Sequence, residues 1–195
     1  HILRDISKCS NPMEGLFWGE LALLCKIQQK HMQLFTRSLA GVDINVVSTA
    51  FNPRRCSPHL SVTEEESTVT HHGEKSWATV VAAQAIQPNT GTYEWAVKIV
   101  SCDKSHAFVG MVSAAAPLDS YIGCDSNGWG LIGTRGLWHG KAKIVSDYGT
   151  GFATDDVVHV RYDSNAHTLS YICRGTDCGI AFRDLPKQTL FPAFS

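Results

Sequence analysis

The chain has 195 residues, of which 44% are hydrophobic and 18% are charged, and its formal net charge is −1. This composition suits a packed globular domain with an extension. The small net charge gives no indication of a nucleic acid or anionic membrane partner, and no apolar run reaches the roughly 18 residues of a membrane span.

The first predicted element is a helix within residues 1–43. Asn11 as N-cap, Pro12 at the first helical position and Glu14 three residues after the cap form a helix-start signature. This pattern predicts a helical N-terminal extension whose apolar side packs on its own domain, the favoured interpretation, or on a partner. The apolar residues that recur at three- and four-residue spacing before Gly41 are Phe17, Leu21, Leu24, Ile27, Leu34 and Phe35.

From about residue 44 the periodicity changes to two, and the predicted elements become short strands. Stretches such as TYEWAVKIV (92–100) and DVVHVRY (156–162) are rich in β-branched and aromatic residues. Nine or more such strands without intervening helices predict an all-β fold, an antiparallel β-sandwich over residues 44–195. In the first stretch the residues that share one face are Tyr93, Trp95, Val97 and Ile99.

The hexapeptide GWGLIG at residues 128–133 matches the GxGxxG spacing of a dinucleotide-binding loop. That fingerprint requires a strand before it and a helix after it, and the segment that follows has no helical periodicity. Glycines in the turns and bulges of a β domain are therefore the favoured explanation.

The sequence contains seven cysteines at irregular spacing, with no CxxC pair and no N-x-S/T site. This pattern predicts reduced thiols in an intracellular protein, cytoplasmic or nuclear. Cys173 and Cys178 flank a turn, and ordinary thiols are favoured there over a disulfide or a metal site. Because the first residue is His1 rather than Met, we expect the sequence to be a piece of a longer chain.

Five short motifs, taken in order, resemble the SPRY domain family from about Phe51 to Ser195. The resemblance implies a bent antiparallel β-sandwich that acts as a protein-interaction module without enzymatic activity. It also places Trp95 on the family's core tryptophan, and GWGL on a core strand whose glycines allow close backbone packing. The motifs are FNPRRCSPHLSV, GTYEWAVKI, AFVGMVSAAAPLDSYIGCDSNGWGL, VVHVRYDSNAHTLSYIC and GIAFRDLPKQTLFPAFS.

Two of these stretches, NPRRCS and APLDSYIGCDSNGWG, are most similar to SPRY proteins that carry a SOCS box and act as substrate receptors of ubiquitin ligases. Members of that subgroup hold short peptides with an Arg-Pro-bearing loop, a tyrosine and a Trp-Gly pair in the last strand. Only the tyrosine carries over, as Tyr121, because the loop reads THHGEKS and the sequence ends before a Trp-Gly strand. Further departures are Ala96, Asp155 and Arg174, where the family commonly has Glu, Gly and Asn.

No catalytic or metal-binding constellation is recognisable in the sequence. His71 and His72 are adjacent in an extended segment and point in opposite directions, which makes them a poor chelating pair. There is no HExxH or GxSxG motif, and the acidic clusters at 64–66 and 155–156 are typical of solvated turns. We therefore expect neither a cofactor nor a metal ion.

The candidate binding residues lie in loops and at one tryptophan. Trp77, Trp95 and Trp129 fall on core-like strands, where burial is the default, whereas Trp138 lies beside turn residues and is the best candidate for an exposed anchor. Trp, Tyr and Arg dominate binding hot spots, and the loop 71–75 occupies the place of the subgroup's peptide-binding loop. The predicted partner-binding residues are His71, His72, Glu74, Lys75, Tyr121, Arg135 and Trp138.

The sequence therefore predicts a recognition module that binds a peptide segment of a partner protein through loops at one end of a β-sandwich. The resemblance places such a module in a larger ubiquitin ligase or adaptor assembly. Two alternatives stay open. A carbohydrate-binding β-sandwich requires a polar cleft with an aromatic platform, and a hydrolase requires a deep pocket with perturbed titratable groups.

Overall fold

The computed structural model describes residues 36–39, 42–47, 50–63, 67–72 and 76–195 of the chain. These residues form two large β-sheets, a separate two-stranded hairpin and a short 3-10 turn over Asp103–Ser105. The strands are β1 (Thr36–Leu39), β2 (Val42–Val46), β3 (Phe51–Cys56), β4 (Leu60–Val62), β5 (Val69–His71), β6 (Val80–Ala82), β7 (Thr92–Lys98), β8 (Phe108–Ser113), β9 (Gly128–Ile132), β10 (Leu137–His139), β11 (Ala142–Val145), β12 (Val157–Asp163), β13 (Thr168–Cys173), β14 (Thr176–Phe182) and β15 (Leu190–Phe194).

The six-stranded sheet has the order β1-β2-β7-β12-β13-β14. Its neighbouring strands are antiparallel, except that β2 runs parallel to β7 with Ile44 opposite Thr92. The seven-stranded sheet has the order β11-β10-β9-β8-β15-β6-β3, and all of its pairs are antiparallel. The prediction of an all-β, antiparallel sandwich is thus confirmed, except that β2 and β7 pair in parallel.

The prediction of a helical N-terminal extension is wrong at the C-terminal end of that extension. Residues 36–39 and 42–46 form the antiparallel hairpin strands β1 and β2, where helix was expected up to about residue 41. Val42, Ile44 and Val46 alternate along β2 and favour a strand, and pairing with the long strand β7 satisfies the β2 backbone. The rest of the predicted helix, at residues 1–35, lies outside the described residues.

The main core lies between the two large sheets, and strand alternation explains its composition. In β12, Val158, Val160 and Tyr162 are fully buried, while the intervening residues are half-buried. Trp95 and Ile99 face the same core from β7 and its end, as the period of two predicts. The predicted burial of Trp95 and Trp129 is confirmed, since their side chains are 3% and 7% exposed.

Strand β8 differs from β12 because both of its faces are buried. Val109 and Met111 belong to the inter-sheet core, whereas Phe108 and Val112 point to the outer face of the seven-stranded sheet. A second apolar cluster therefore lies on that outer face, and the chain must supply a cover for it.

Candidate functional site

The cover is the segment 114–127 between β8 and β9, called here the β8–β9 loop. Its residues Leu118, Tyr121 and Ile122 pack on the outer face of the seven-stranded sheet, against Phe108 and Val112. Ile122 is 2% exposed, whereas Tyr121 stays partly exposed. The loop thus closes an apolar cluster and leaves one aromatic side chain at its surface.

Two glycines of β9, Gly128 and Gly130, let this loop approach closely, and a Cβ atom at Gly128 would lie 2.6 Å from the backbone nitrogen of Gly123. Gly130 of β9 pairs with Gly110 of β8, and both are buried. A Cβ atom at Gly130 would lie only 2.9 Å from Cγ2 of Ile122 and 3.0 Å from its carbonyl oxygen. The glycines of GWGLIG therefore serve close packing, as the strand interpretation of that motif predicts.

Four aromatic residues make ring contacts where the loop meets the sheet, and they form what we call the aromatic cluster: Trp77, Phe108, Tyr121 and Trp138. The Tyr121 ring stacks on Phe108, with centroids 5.3 Å apart, and it meets the edge of Trp138 at 5.4 Å. Trp77 closes the other side at 5.6 Å from Tyr121 and 5.2 Å from Phe108. These separations are typical of favourable aromatic pairs, so the tyrosine ring is held on three sides.

Two of the predicted residues, Tyr121 and Trp138, are thus brought into contact by the fold. Trp138 is partly exposed on β10, and the Lys143 ammonium of β11 lies 5.6 Å from its ring centroid. The indole N–H of Trp138 is buried and finds no acceptor among the described residues. A buried unpaired donor costs about 1–3 kcal/mol, and such groups are rare enough in folded proteins to need an explanation.

A chain of hydrogen bonds fixes the backbone on both sides of Tyr121. The Thr79 hydroxyl donates to the Ser120 carbonyl at 2.5 Å, so the Ser195 hydroxyl must donate to Thr79 Oγ1 at 2.8 Å. The hydroxyl oxygen of Ser195, Oγ, accepts in turn from the backbone N–H of Ile122 at 3.1 Å. Because the residues before and after Tyr121 are both held, the orientation of its side chain is set before any ligand arrives.

Other polar contacts fix the rest of the loop. Asp119 accepts a hydrogen bond from the Ser57 hydroxyl at 2.9 Å. Arg55 reaches the carbonyl oxygens of Ser113 and Ala114 at 3.4 and 3.3 Å, and its guanidinium lies 4.4 Å from the ring centroid of Phe191. Partial burial lowers the pKa of Arg55 from its ordinary value, since desolvation disfavours its charged form. The NPRRCS motif therefore has a structural role in anchoring the loop.

The predicted loop 71–75 is described only in part. His71 ends β5, is exposed, and lies with Nε2 2.9 Å from the carbonyl oxygen of Ser76, directly before Trp77. His72 is exposed and donates its backbone N–H to the carbonyl oxygen of His59. Glu74 and Lys75 lie outside the described residues, so their part in the site stays a prediction.

Arg135 lies in the turn between β9 and β10, and it contacts Asp147 and Tyr148 in the segment after β11. Its guanidinium forms an ion pair of 2.7 Å with Asp147, and its carbonyl oxygen accepts from the N–H of Tyr148. Arg135 is 44% exposed and Asp147 75% exposed, so solvent screens this pair strongly. The structure places Arg135 in this pair and Tyr121 with Trp138 in the aromatic cluster.

Three residues at the aromatic cluster were not predicted from the sequence to be part of the site. Trp77 was predicted to be a core residue, but it is partly exposed and forms one wall of the aromatic cluster. Phe108 forms the floor, and His106 lies beside Trp77 with ring centroids 6.5 Å apart. The only signal in the sequence was that Trp77 adjoins the predicted binding loop 71–75.

Two described residues with a raised pKa, Tyr148 and Cys173, belong to the inter-sheet core. No group of three or more His, Cys, Asp or Glu side chains among them is placed to hold a metal ion. Burial, together with the neighbouring Cys178, raises the pKa of the Cys173 thiol to about 12, which keeps it protonated and unreactive. Burial also raises the pKa of Tyr148, whose hydroxyl donates to the Gly179 carbonyl. These shifts follow from packing in the inter-sheet core.

Within the described part of the chain, no helix is both long and apolar enough to cross a membrane.

Comparison with solved structures supports the fold. The SPRY domain of human HERC1 aligns with a TM-score of 0.63 at 21% identity, covering 74% of this chain and 87% of that one. The TRIM65 PSpry domain aligns with a TM-score of 0.60 at 18% identity, covering 76% and 84%. At these identities the likeness establishes the architecture and nothing finer.

Comparison with curated proteins gives relatives of two kinds. The Ran-binding proteins 9/10 homolog of Drosophila melanogaster is 29% identical over 150 residues, which is 72% of this chain and 16% of that protein. The human SPRY domain-containing SOCS box protein 2 is 29% identical over 168 residues, which is 74% of this chain and 60% of that protein. The chain thus spans less than two thirds of the length of either relative.

The family comparison covers the C-terminal part of the described fold. The SPRY domain model matches residues 92–195, more than half of the chain and the part that holds β7 to β15. The matched range includes Phe108, Tyr121 and Trp138, three of the four residues of the aromatic cluster. The chain therefore belongs to the SPRY domain family, a family of protein-interaction modules.

Proposed function

We propose that this chain binds a short segment of a partner protein at the aromatic cluster and performs no chemistry on it. The observation that carries the proposal is the setting of Tyr121. Its ring is partly exposed, packed among Trp77, Phe108 and Trp138, and held by hydrogen bonds on either side. Fixed aromatic side chains supply contact area at little entropic cost, which is what binding hot spots require.

The surroundings of the cluster also favour an extended ligand. The β8–β9 loop, the strand β10 and the segment after β5 meet at Tyr121, Trp138 and Trp77, so a peptide that crosses the cluster contacts all three. His71, the first residue of the predicted loop 71–75, reaches this surface through its contact with Ser76, the residue before Trp77. Exposed loops held by a rigid sheet are the usual place for recognition residues.

The role of such binding is proposed from the relatives. The names of several curated relatives pair a SPRY domain with a SOCS box. We infer that this domain selects the substrate within a larger ubiquitin ligase or adaptor assembly. An intracellular location fits that role and the cysteine pattern of the sequence.

A quantitative pull-down tests the proposed site. The wild-type chain is compared with a Tyr121→Ala, Trp138→Ala double variant, and circular dichroism confirms that both are folded. A matched control, Lys98→Ala with His159→Ala, changes two side chains on the outer face of the other sheet. Loss of two hot-spot aromatics is worth 2 kcal/mol or more, so we expect retention of the partner to fall at least tenfold.

The expected pattern is a partner retained by the wild type and by the control, and lost by the folded double variant. If the same partners bind all three proteins equally, the recognition surface lies elsewhere and the proposed site is wrong. A partner that is retained specifically then allows its bound segment to be mapped with overlapping peptides.

A further inference from the structure

The hairpin of β4 and β5 forms a two-stranded sheet of its own, and its two faces differ in exposure. The side chains of Leu60, Val62 and Val69 are partly buried on one face. Ser61 and Thr70 lie opposite each other on the other face and are exposed. A two-stranded hairpin is marginally stable in water, so a link between its strands on the exposed side would stabilise it.

The strand register brings two histidines together at the open end of this hairpin. The last pair of the ladder is Leu60 opposite His71. One step further out, the backbone N–H of His72 donates to the carbonyl oxygen of His59 at 2.9 Å. Residues opposite each other in an antiparallel pair have Cβ atoms about 4.5–5.5 Å apart, with their side chains on the same side. His59 and His72 are therefore neighbours across the hairpin.

The backbone of this pair is held, while its two imidazoles are free. The Ser57 hydroxyl accepts from the N–H of His59 at 3.4 Å, and the turn is closed by the Leu60 N–H, which donates to the Ser57 carbonyl at 3.0 Å. Both imidazoles are exposed, and the described residues give neither ring a hydrogen-bond partner. His71 differs, because its Nε2 lies 2.9 Å from the Ser76 carbonyl oxygen.

Two neutral imidazoles that face the same side are suited to bind Zn²⁺. Zinc binds imidazole nitrogen at about 2.0–2.1 Å and prefers a tetrahedral arrangement, which puts two ligand nitrogens roughly 3.3 Å apart. Rotation about the side-chain bonds lets imidazoles on neighbouring Cβ atoms reach this separation. The pair supplies two of the four ligands, and water can occupy the other two positions.

We propose that His59 and His72 bind a zinc ion that closes the open end of the β4–β5 hairpin. The sequence places His72 beside His71, which makes a poor chelating pair, and only the strand register reveals its partner across the hairpin. Because the chain continues from His72 toward Ser76 and Trp77, the ion also fixes the start of the predicted loop 71–75. The zinc site needs no ligand at the aromatic cluster, so it is independent of the proposed function.

Zinc binding is tested by isothermal titration calorimetry on the whole chain, without an affinity tag and with its thiols kept reduced. Groups that only orient a metal ligand are worth about 10–100-fold in metal affinity, so removing a ligand should cost at least about tenfold. We expect this loss in His59→Ala and in His72→Ala. The double variant should be little weaker than either single variant, because each one already breaks the chelate.

The matched control is His71→Ala, which removes the same side chain one position away and leaves the pair intact. It should bind zinc like the wild type, and circular dichroism confirms that all four variants are folded. If His71→Ala weakens zinc binding as much as His72→Ala does, or if His59→Ala keeps the wild-type affinity, the proposed site is wrong.

Hydrogen exchange tests whether the ion closes the hairpin. Zinc should slow exchange at the His72 amide of the wild type at least threefold, because that N–H donates to the His59 carbonyl and opens only when the strands separate there. The same amide in His59→Ala should not respond to zinc. Zinc binding that leaves the His72 amide unchanged in the wild type would overturn the closing of the hairpin.

Discussion

The two outer faces of the sandwich are built from similar strands but carry different side chains. On the seven-stranded sheet, the outer positions of β8 hold Phe108 and Val112, which are 1% exposed beneath the β8–β9 loop. On the six-stranded sheet, the outer positions of β7 and β12 hold Glu94, His159 and Arg161, which stay partly exposed. The inner faces of the same two sheets pack against each other and form the inter-sheet core.

The difference separates a face closed by polar pairs from a face that carries the proposed binding site. Glu94 and Arg161 lie opposite each other across β7 and β12, at 3.1 Å, and satisfy each other's polar groups. The aromatic residues of the other face gain burial from the loop, yet Trp77, Tyr121 and Trp138 stay partly exposed. A ligand that binds there can bury the remaining exposed area of these aromatic side chains.

The largest expected difference between the faces is in folding stability. Phe108→Ala removes the floor of the aromatic cluster and should lower the free energy of unfolding by about 3–5 kcal/mol. His159→Ala, on the opposite outer face, should cost at most about 1 kcal/mol. Urea denaturation measures both, and Phe108→Leu should restore a large part of the loss. Similar losses for the two alanine variants would show that the β8–β9 loop contributes no real cover.

A smaller effect should follow from breaking the hydrogen-bond chain beside Tyr121. Thr79→Val leaves the Ser120 carbonyl without its donor and the Ser195 hydroxyl without its acceptor, which should cost about 1–3 kcal/mol. Hydrogen exchange should quicken at the Ile122 amide first, because that N–H donates to Ser195. Thr79→Ser keeps the hydroxyl and should behave like the wild type. An unchanged exchange rate at Ile122 in Thr79→Val would mean that the loop is held by its apolar contacts alone.

The faces also differ in how far the sequence predicts them. The period of two in TYEWAVKIV and DVVHVRY was sufficient to separate the buried from the exposed side of β7 and β12. It was not sufficient for β8, because its outer side is buried by a loop that folds back from further along the chain. For the same reason Phe108 and Trp77 were missed, while Tyr121 and Trp138 were chosen by residue type and then found in contact at 5.4 Å.

The local sequence pattern also gave a wrong prediction where pairing with a strand distant in the chain decides the conformation. The helical periodicity that runs through residues 34 and 35 gives no warning of β1 and β2, because β2 owes its place to pairing with β7 and β1 pairs with β2. By contrast, two departures from the family pattern are explained by the backbone. Asp155 and Arg174 have φ angles of 70° and 53°, the left-handed region that Gly and Asn adopt most readily.

The last prediction concerns the polar face and its dependence on pH. The His159 imidazole, with Nδ1 3.6 Å from a carboxylate oxygen, together with the Arg161 pair, holds the pKa of the Glu94 carboxyl below its ordinary value, against the opposing effect of burial. A carboxyl whose pKa is lower in the folded state stabilises the fold above its unfolded pKa, about 4.3, and loses this contribution as the pH falls through the folded pKa. Glu94→Gln removes the titration while it keeps the size of the side chain.

We therefore expect Glu94→Gln to be about 1 kcal/mol less stable than the wild type at neutral pH, and the two unfolding curves to converge below about pH 4. Asp184→Asn, which removes an exposed carboxylate, should follow the wild type throughout. Binding of a Tyr121-dependent peptide at neutral pH should be the same for all three proteins, because Glu94 lies on the face opposite the aromatic cluster. A loss of that binding in Glu94→Gln would mean that the two faces are coupled through the core, and that stability and recognition are not separated in this domain.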